Sequence, residues 1–191
     1  NSSGAAAGST VAITNTFRIN DGGHYIHNTP RVNAAIISQL STAAGTELGI
    51  FEFDVPGFAG YTPSLSGRTF GSLILSAAAA GGPRTYTGSG AFNCTVRGNF
   101  TINTDVTFSI SMSAMFIVQQ DYNQSPSSTF DIQSAANPNT VQIAGDITNN
   151  GILTESSTGL PTIELNGTAN QQISGTGSIL NSITFLMNNA A

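Results

Sequence analysis

Val96-Arg97-Gly98-Asn99-Phe100-Thr101-Ile102-Asn103, continued by Val106-Thr107-Phe108-Ser109-Ile110, alternates with a period of two. Phe100, Ile102, Val106, Phe108 and Ile110 are apolar at even positions; Thr101, Asn103, Thr107, Ser109 and Ser111 are polar at odd ones. A period of two sends successive side chains to opposite faces, so the stretch reads as short strands with one buried face. Thr140-Val141-Gln142-Ile143 and Thr162-Ile163-Glu164-Leu165 show the same pattern. Clusters such as Asn149-Asn150-Gly151, Asn166-Gly167-Thr168 and Gly175-Thr176-Gly177 mark turns between the runs.

The unit recurs. Thr16-Phe17-Arg18-Ile19-Asn20 aligns with Asn99-Phe100-Thr101-Ile102-Asn103, and an aromatic follows eight residues later in each, from Phe17 to Tyr25 and from Phe100 to Phe108. Tyr122 to Phe130 keeps that spacing, and Asp146-Ile147 opens a fourth copy that lacks the aromatic. Positions 99, 121 and 146 are thus 22 and 25 residues apart. At longer range, Phe70-Gly71-Ser72-Leu73-Ile74-Leu75 echoes Leu180-Asn181-Ser182-Ile183-Thr184-Phe185. One helix is expected, over Ala34 to Ala44, where Ile36, Ile37 and Leu40 fit its period.

Short alternating strands suit an antiparallel sandwich or a parallel β-solenoid. Only the solenoid requires a strand–turn–strand unit to return every 22–25 residues, because each coil stacks on the last. The expected fold is therefore all-β, a right-handed parallel β-helix forming a single domain over residues 1–191. The preference of parallel crossovers gives the hand. A repeat of about 23 residues gives roughly eight coils, and about 4.8 Å per coil gives a stack roughly 38 Å tall.

Composition agrees. Charged residues make up 8% of the chain, with five Arg and no Lys against ten Asp plus Glu, for a net charge of −5. Ser, Thr and Asn number 22, 23 and 18. Stacked like charges repel at the coil spacing, whereas stacked Asn and Thr hydrogen-bond along the axis. Five scattered Arg make no nucleic-acid face. No apolar run reaches the roughly 18–20 residues of a membrane span. Cys94 is the single cysteine and cannot form an internal disulfide, so it reads as a small core hydrophobe. The start at Asn1 and the stop at Asn188-Asn189-Ala190-Ala191 read as a portion of a longer protein.

Gly22-Gly23-His24-Tyr25-Ile26-His27-Asn28, Arg68-Thr69-Phe70-Gly71-Ser72-Leu73, Val96-Arg97-Gly98-Asn99-Phe100-Thr101-Ile102, the run Ile163 to Gly175 and Asn181-Ser182-Ile183-Thr184-Phe185 follow one another in that order. Together they resemble the repetitive β-helical regions of large secreted or cell-surface proteins of Bacteroidetes, which are typically exported by the type IX secretion system and often adhesin-like. The resemblance runs from about Thr10 to the end and lies in turn and strand residues. It implies surface display, adhesion or a structural stalk, and also a right-handed coil. It transfers no catalytic residues. The family's C-terminal sorting domain has no counterpart here.

Candidate chemistry is sparse. His24 and His27 have helix-like metal spacing but sit in a strand pattern, which sends them to opposite faces. Asn99, Asp121 and Asp146 are expected to stack, either as a ladder of Asx caps or as oxygen ligands for calcium. Glu52 and Asp54 share a face of Phe51-Glu52-Phe53-Asp54-Val55, expected to be solvated, with the phenylalanines buried. Tyr25, Tyr61, Tyr86 and Tyr122 could stack on sugars, whereas Phe17, Phe100, Phe108 and Phe130 read as core. Thr85 with Thr87, or Thr101 with Thr107, could form threonine rows of the ice-binding kind, without a strict repeat. Asn-x-Ser/Thr triplets at Asn1, Asn93, Asn99, Asn123 and Asn166 are the number chance allows in so Asn- and Thr-rich a chain.

No catalytic, cofactor or metal residue is assigned. The expected role is a non-enzymatic adhesive or structural module, secreted or on a cell surface. Its expected partners are an extracellular protein or glycan, or neighbouring coils. A carbohydrate-binding or carbohydrate-active β-helix and a filament subunit are the rivals. Specific contacts are expected from the longer excursions, Ala34 to Tyr61 and Ser76 to Gly90.

Overall fold

Three parallel sheets wind around one interior. The computed structural model describes residues 17–31, 34–40, 48–57, 60–136 and 139–189. The first coil holds β1 (His24–His27) and then α1 (Ala34–Leu40); the second holds β2 (Ile50–Phe53) and β3 (Thr69–Phe70). The third runs through β4 (Ser72–Leu75), a 3-10 turn at Ala78–Ala80, β5 (Arg84–Gly88) and β6 (Cys94–Val96). The fourth is β7 (Phe100–Ile102), β8 (Val106–Ile110) and β9 (Phe116–Val118); the fifth is β10 (Tyr122–Gln124), β11 (Thr129–Asp131) and β12 (Thr140–Ile143). The sixth is β13 (Ile147–Asn149), β14 (Ile152–Thr154) and β15 (Thr162–Leu165); the seventh is β16 (Ile173–Ser174), β17 (Ser178–Ile179) and β18 (Thr184–Met187). The first sheet has order β1-β2-β4-β7-β10-β13-β16, the second β5-β8-β11-β14-β17 and the third β3-β6-β9-β12-β15-β18.

Seven coils, not eight, follow from the seven strands of the first sheet. Coil length is uneven: the turns around Ala78–Ala80 and α1 take up residues that an even repeat would have assigned to a further coil.

Inward positions stack on their equivalents. Leu73, Phe100, Tyr122 and Ile147 form one buried row, and Tyr86, Phe108, Phe130 and Leu153 another. Phe108 lies 5.4 Å from Phe130 at 15° between planes, and Phe100 lies 5.6 Å from Tyr122 at 22°. Coil-to-coil stacking at strand spacing brings such rings to offset-stacked geometry, which adds to their burial. The described coils share this one core, which α1 joins through Ile36, Ile37 and Leu40.

Three readings need correction. Tyr25 pairs in register with Phe51, which pairs with Leu73 and through it with Phe100, so Tyr25 is the equivalent of Phe100 rather than of Phe108. The spacing from Phe17 to Tyr25 therefore precedes the first coil, and Phe17 packs edge-on against Tyr25 at 5.3 Å. The echo of Phe70–Leu75 in Leu180–Phe185 is not structural: Leu73 belongs to the first sheet and Phe185 to the third. Ser76 to Gly90 is not an excursion throughout, since β5 within it pairs with β8 over five residues. The helix occupies Ala34–Leu40, and its expected extension to Ala44 lies outside the described residues.

Candidate functional site

The corner between the third and first sheets carries the Asx ladder. Ser72 Oγ accepts from the Asn99 N–H (3.2 Å), Asn99 Oδ1 from the Asp121 N–H (3.1 Å), Asp121 Oδ1 from the Asp146 N–H (2.9 Å) and Asp146 Oδ1 from the Gln172 N–H (2.8 Å). Each side chain caps the backbone one coil further on, at the strand start where the N–H would otherwise lack a partner. This is the capping alternative, and it uses one oxygen of every expected calcium ligand. Among the described residues no group of three or more His, Cys, Asp or Glu side chains could hold a metal ion. The residues just before these ladder positions are Gly71, Gly98, Gln120, Gly145 and Gln171, so glycine recurs at this corner, which the sequence shows only once the register is known.

A polar cluster lies on the outer face of the first sheet. Glu52 Oε2 meets His24 Nε2 at 2.6 Å, while Glu52 Oε1 accepts from Ser76 Oγ. Asn103 Nδ2 donates to the same Ser76 Oγ at 2.8 Å. Glu52 is thus mostly covered, its side chain 13% exposed, rather than solvated as expected. Asp54, on the same face, accepts from the Ala79 N–H through Oδ1 at 2.8 Å. The carboxylate stands between the hydroxyl and the imidazole. Hydrolytic triads need the imidazole next to the nucleophile, so this order does not activate Ser76. Beside the cluster lies a shallow pocket of about 310 Å³, lined by Ser76, Ala77, Ala78, Asn103, Thr104, Asp105 and Ser125. Asp105 has a positive φ of 63°, a conformation that Asp and Asn tolerate best among residues with side chains, and it holds the turn at the pocket's rim. Sequence reading missed Ser76 and Asn103 as a pair. The one available signal was their equivalent position, directly after the inward Leu75 and Ile102.

His24 and His27 point to opposite sides, as the strand pattern requires. His27 is buried against Phe51, Phe53 and Tyr61. Tyr61 Oη donates to the Arg31 carbonyl (3.0 Å) and contacts His27 Nε2 at 3.2 Å. Burial pushes the imidazole below its ordinary value of 6.5, outweighing the hydrogen bonds to the Arg31 and Thr29 backbone that oppose the shift. The unfolded imidazole takes its proton near 6.5, the folded one only at lower pH. The stability gained from keeping His27 neutral is therefore complete above pH 6.5 and is lost as the pH falls towards the folded value. Urea midpoints followed from neutral to acid pH are expected to fall more steeply for the wild type than for His27→Gln. Parallel curves would show that the imidazole does not titrate in this range.

Other candidates prove structural. Cys94 is fully buried, and burial pushes its thiol far up, so it is an inert core residue. Tyr86 and Tyr122 are buried, and burial moves the Tyr86 hydroxyl up to about 12. Tyr86 Oη donates to the Ser76 carbonyl (2.8 Å) and accepts from the Val55 N–H (3.1 Å), pinning the segment after β2. Tyr25 and Tyr61 are partly buried against the core, so the four tyrosines form no exposed platform. Thr85, Thr107 and Thr129 do line up on the second sheet, but Ile152 follows in that row, and Thr101 belongs to the first sheet. Of the glycosylation triplets, Asn99 is used as a cap, Asn93 and Asn123 lie in the described coils, Asn166 is half-buried, and Asn1 lies outside the described residues.

No helix among the described residues is long and apolar enough to cross a membrane. Compared with family models, with curated proteins and with solved structures, the chain matches none.

Proposed function

We propose that the chain is a non-enzymatic structural and adhesive module of a secreted or cell-surface bacterial protein. One observation carries the reading: His24, Glu52, Asp54, Asn99, Asp121 and Asp146, the side chains expected to carry chemistry, are engaged in contacts between coils. Asn99, Asp121 and Asp146 cap the next coil's backbone, and Glu52 is held between His24 and Ser76. Such a solenoid resists bending because from the third coil on each coil is tied to the next by three sheets, the property a stalk or display platform needs. The resemblance to adhesin-like Bacteroidetes proteins supports the same role.

Its contact surface is the pocket beside Ser76 and Asp105. The Thr104 and Ser125 hydroxyls and the Asp105 carboxylate, beside Ala77 and Ala78, suit the hydroxyls of a glycan. The test is to immobilise the chain and measure binding to a panel of polysaccharides while assaying released reducing ends. Saturable binding to at least one polysaccharide is expected, with no release. Thr104→Arg, which fills the pocket from its exposed rim, is expected to weaken binding by at least about tenfold. Release of reducing ends would overturn the non-enzymatic reading, and binding indifferent to Thr104→Arg would overturn the pocket's role.

A further inference from the structure

The pocket beside Ser76 has a hydrogen-bond polarity set by its neighbours. A carboxylate only accepts, so the single hydroxyl hydrogen of Ser76 goes to Glu52 Oε1. The Ser76 oxygen is then the acceptor for Asn103, and the amide atom 2.8 Å from it is the Nδ2 donor. This leaves Asn103 Oδ1 as an acceptor at the pocket, with no donor to it among the described residues. Asp105 adds a carboxylate at the rim, exposed and without an ion pair among the described residues. No cation faces these acceptors. Arg84 donates its main-chain N–H to the Asp105 carbonyl (2.8 Å), yet its guanidinium is buried. It donates to the Gly57 carbonyl and lies 5.6 Å from the ring centres of Tyr61 and Tyr86. No Arg or His lines the pocket, and the chain has no Lys.

We propose that the pocket takes a glycan carrying free amino groups, of the glucosamine type, with an ammonium at Asp105 and a sugar hydroxyl donating to Asn103 Oδ1. This ligand chemistry rests on the glycan reading of the pocket and narrows it. An ammonium supplies three donors and no acceptor, which suits a wall of acceptors. Its bond to a carboxylate is charge-assisted and so stronger than a neutral one. An acidic glycan is refused by the same groups, because its carboxylates would face Asp105 and Asn103 Oδ1 with no cation to pair with. N-acetylation removes the charge and keeps the ring and its hydroxyls, so it isolates the contact at Asp105.

Oligomers of glucosamine, N-acetylglucosamine and galacturonic acid, matched in length, are titrated into the chain by calorimetry at mildly acidic pH, where the amine is protonated. The glucosamine oligomer is expected to bind about threefold to tenfold more tightly than the N-acetylated one, the range for one partly exposed charge pair. The galacturonic acid oligomer is expected not to bind. Asp105→Asn keeps a side chain that tolerates the positive φ of this turn and is expected to abolish the preference for the amine. Asp146→Asn removes the same charge at the corner between the third and first sheets and keeps the oxygen that caps Gln172. It is expected to leave the preference intact, which separates the pocket from attraction to the net charge of −5. Equal or absent binding of the two amino-sugar oligomers, binding of the galacturonic acid oligomer, or a preference that survives Asp105→Asn or is lost equally in Asp146→Asn would each overturn the proposal. If Thr104→Arg still weakened saturable binding of a neutral polysaccharide, the glycan reading would stand without it.

Discussion

Replacing Phe108 by alanine is expected to lower the stability of the solenoid by about 3–5 kcal/mol, the range for removing a large aromatic from a packed core. Phe108 is fully buried in the fourth coil. Its ring stacks on Phe130 and meets Phe100 and Phe116, each at 5.8 Å, so all three sheets contribute to its surroundings. Three hydrogen-bonded sheets cannot close around the void, so the cavity cost adds to the lost burial. Equilibrium urea denaturation measures the effect. Phe92→Ala is the control, because that ring is 70% exposed at a corner, and its loss is expected to stay within about 0.5 kcal/mol. The position in the chain makes a second expectation. Each coil contacts its neighbours only, so damage in the middle coil weakens local coupling before global stability. Amide exchange in Phe108→Ala is expected to quicken first in β5, β8 and β11, which pair directly, and later in β15 and β18. A loss below about 1 kcal/mol would mean that the interior is too loosely packed to feel a ring.

The sequence revealed the parts of this fold that repeat within a coil. Alternation from Phe100 to Ile110 declared two strands, and the equal placing of Asn99, Asp121 and Asp146 ahead of Phe100, Tyr122 and Ile147 declared both the stacking and the ladder. What it hid were relations between coils of unequal length. The inward row through the first sheet reads Tyr25, Phe51, Leu73, Phe100, Tyr122, Ile147 and Ile173, because any large apolar side chain fills the slot. Aromatic spacing is therefore a poor guide to register, and Tyr25 was matched to the wrong strand. Glu52 illustrates the same limit at the candidate site. Its partners Ser76 and His24 are one coil away on either side, and the offsets that align them differ, 26 residues across the connection that holds α1 and 22 from β2 to β4. A local pattern shows which face a residue occupies. Which residue lies above it depends on turn lengths that the alternation does not encode.

The corner at Gly145 gives the second large effect. Gly145→Ala is expected to cost about 2–3 kcal/mol, and Gly145→Val more. Gly145 has no positive φ, so backbone conformation is not the constraint. A methyl group there would lie 2.5 Å from the Gln120 carbonyl carbon and 2.7 Å from the Asp121 nitrogen, and would also overlap Asp121 Oδ1. These are main-chain atoms and a hydrogen-bonded carboxylate of the coil beneath, and no flexible side chain can swing aside. The coils must separate instead. That separation stretches the Gly145 N–H to Gln120 carbonyl bond of 3.0 Å and the Asp146 N–H to Asp121 Oδ1 cap of 2.9 Å. The substitution thus damages the ladder without touching a ladder residue. Gly60→Ala is the comparison, because nothing lies within 4 Å of a methyl group there. Urea midpoints are expected to fall for Gly145→Ala alone, with amide protection lost first at Gly145 and Asp146. If the two variants proved equally stable, the fifth and sixth coils would have room for a methyl group between them, and close coil spacing would not be what holds position 145 to glycine.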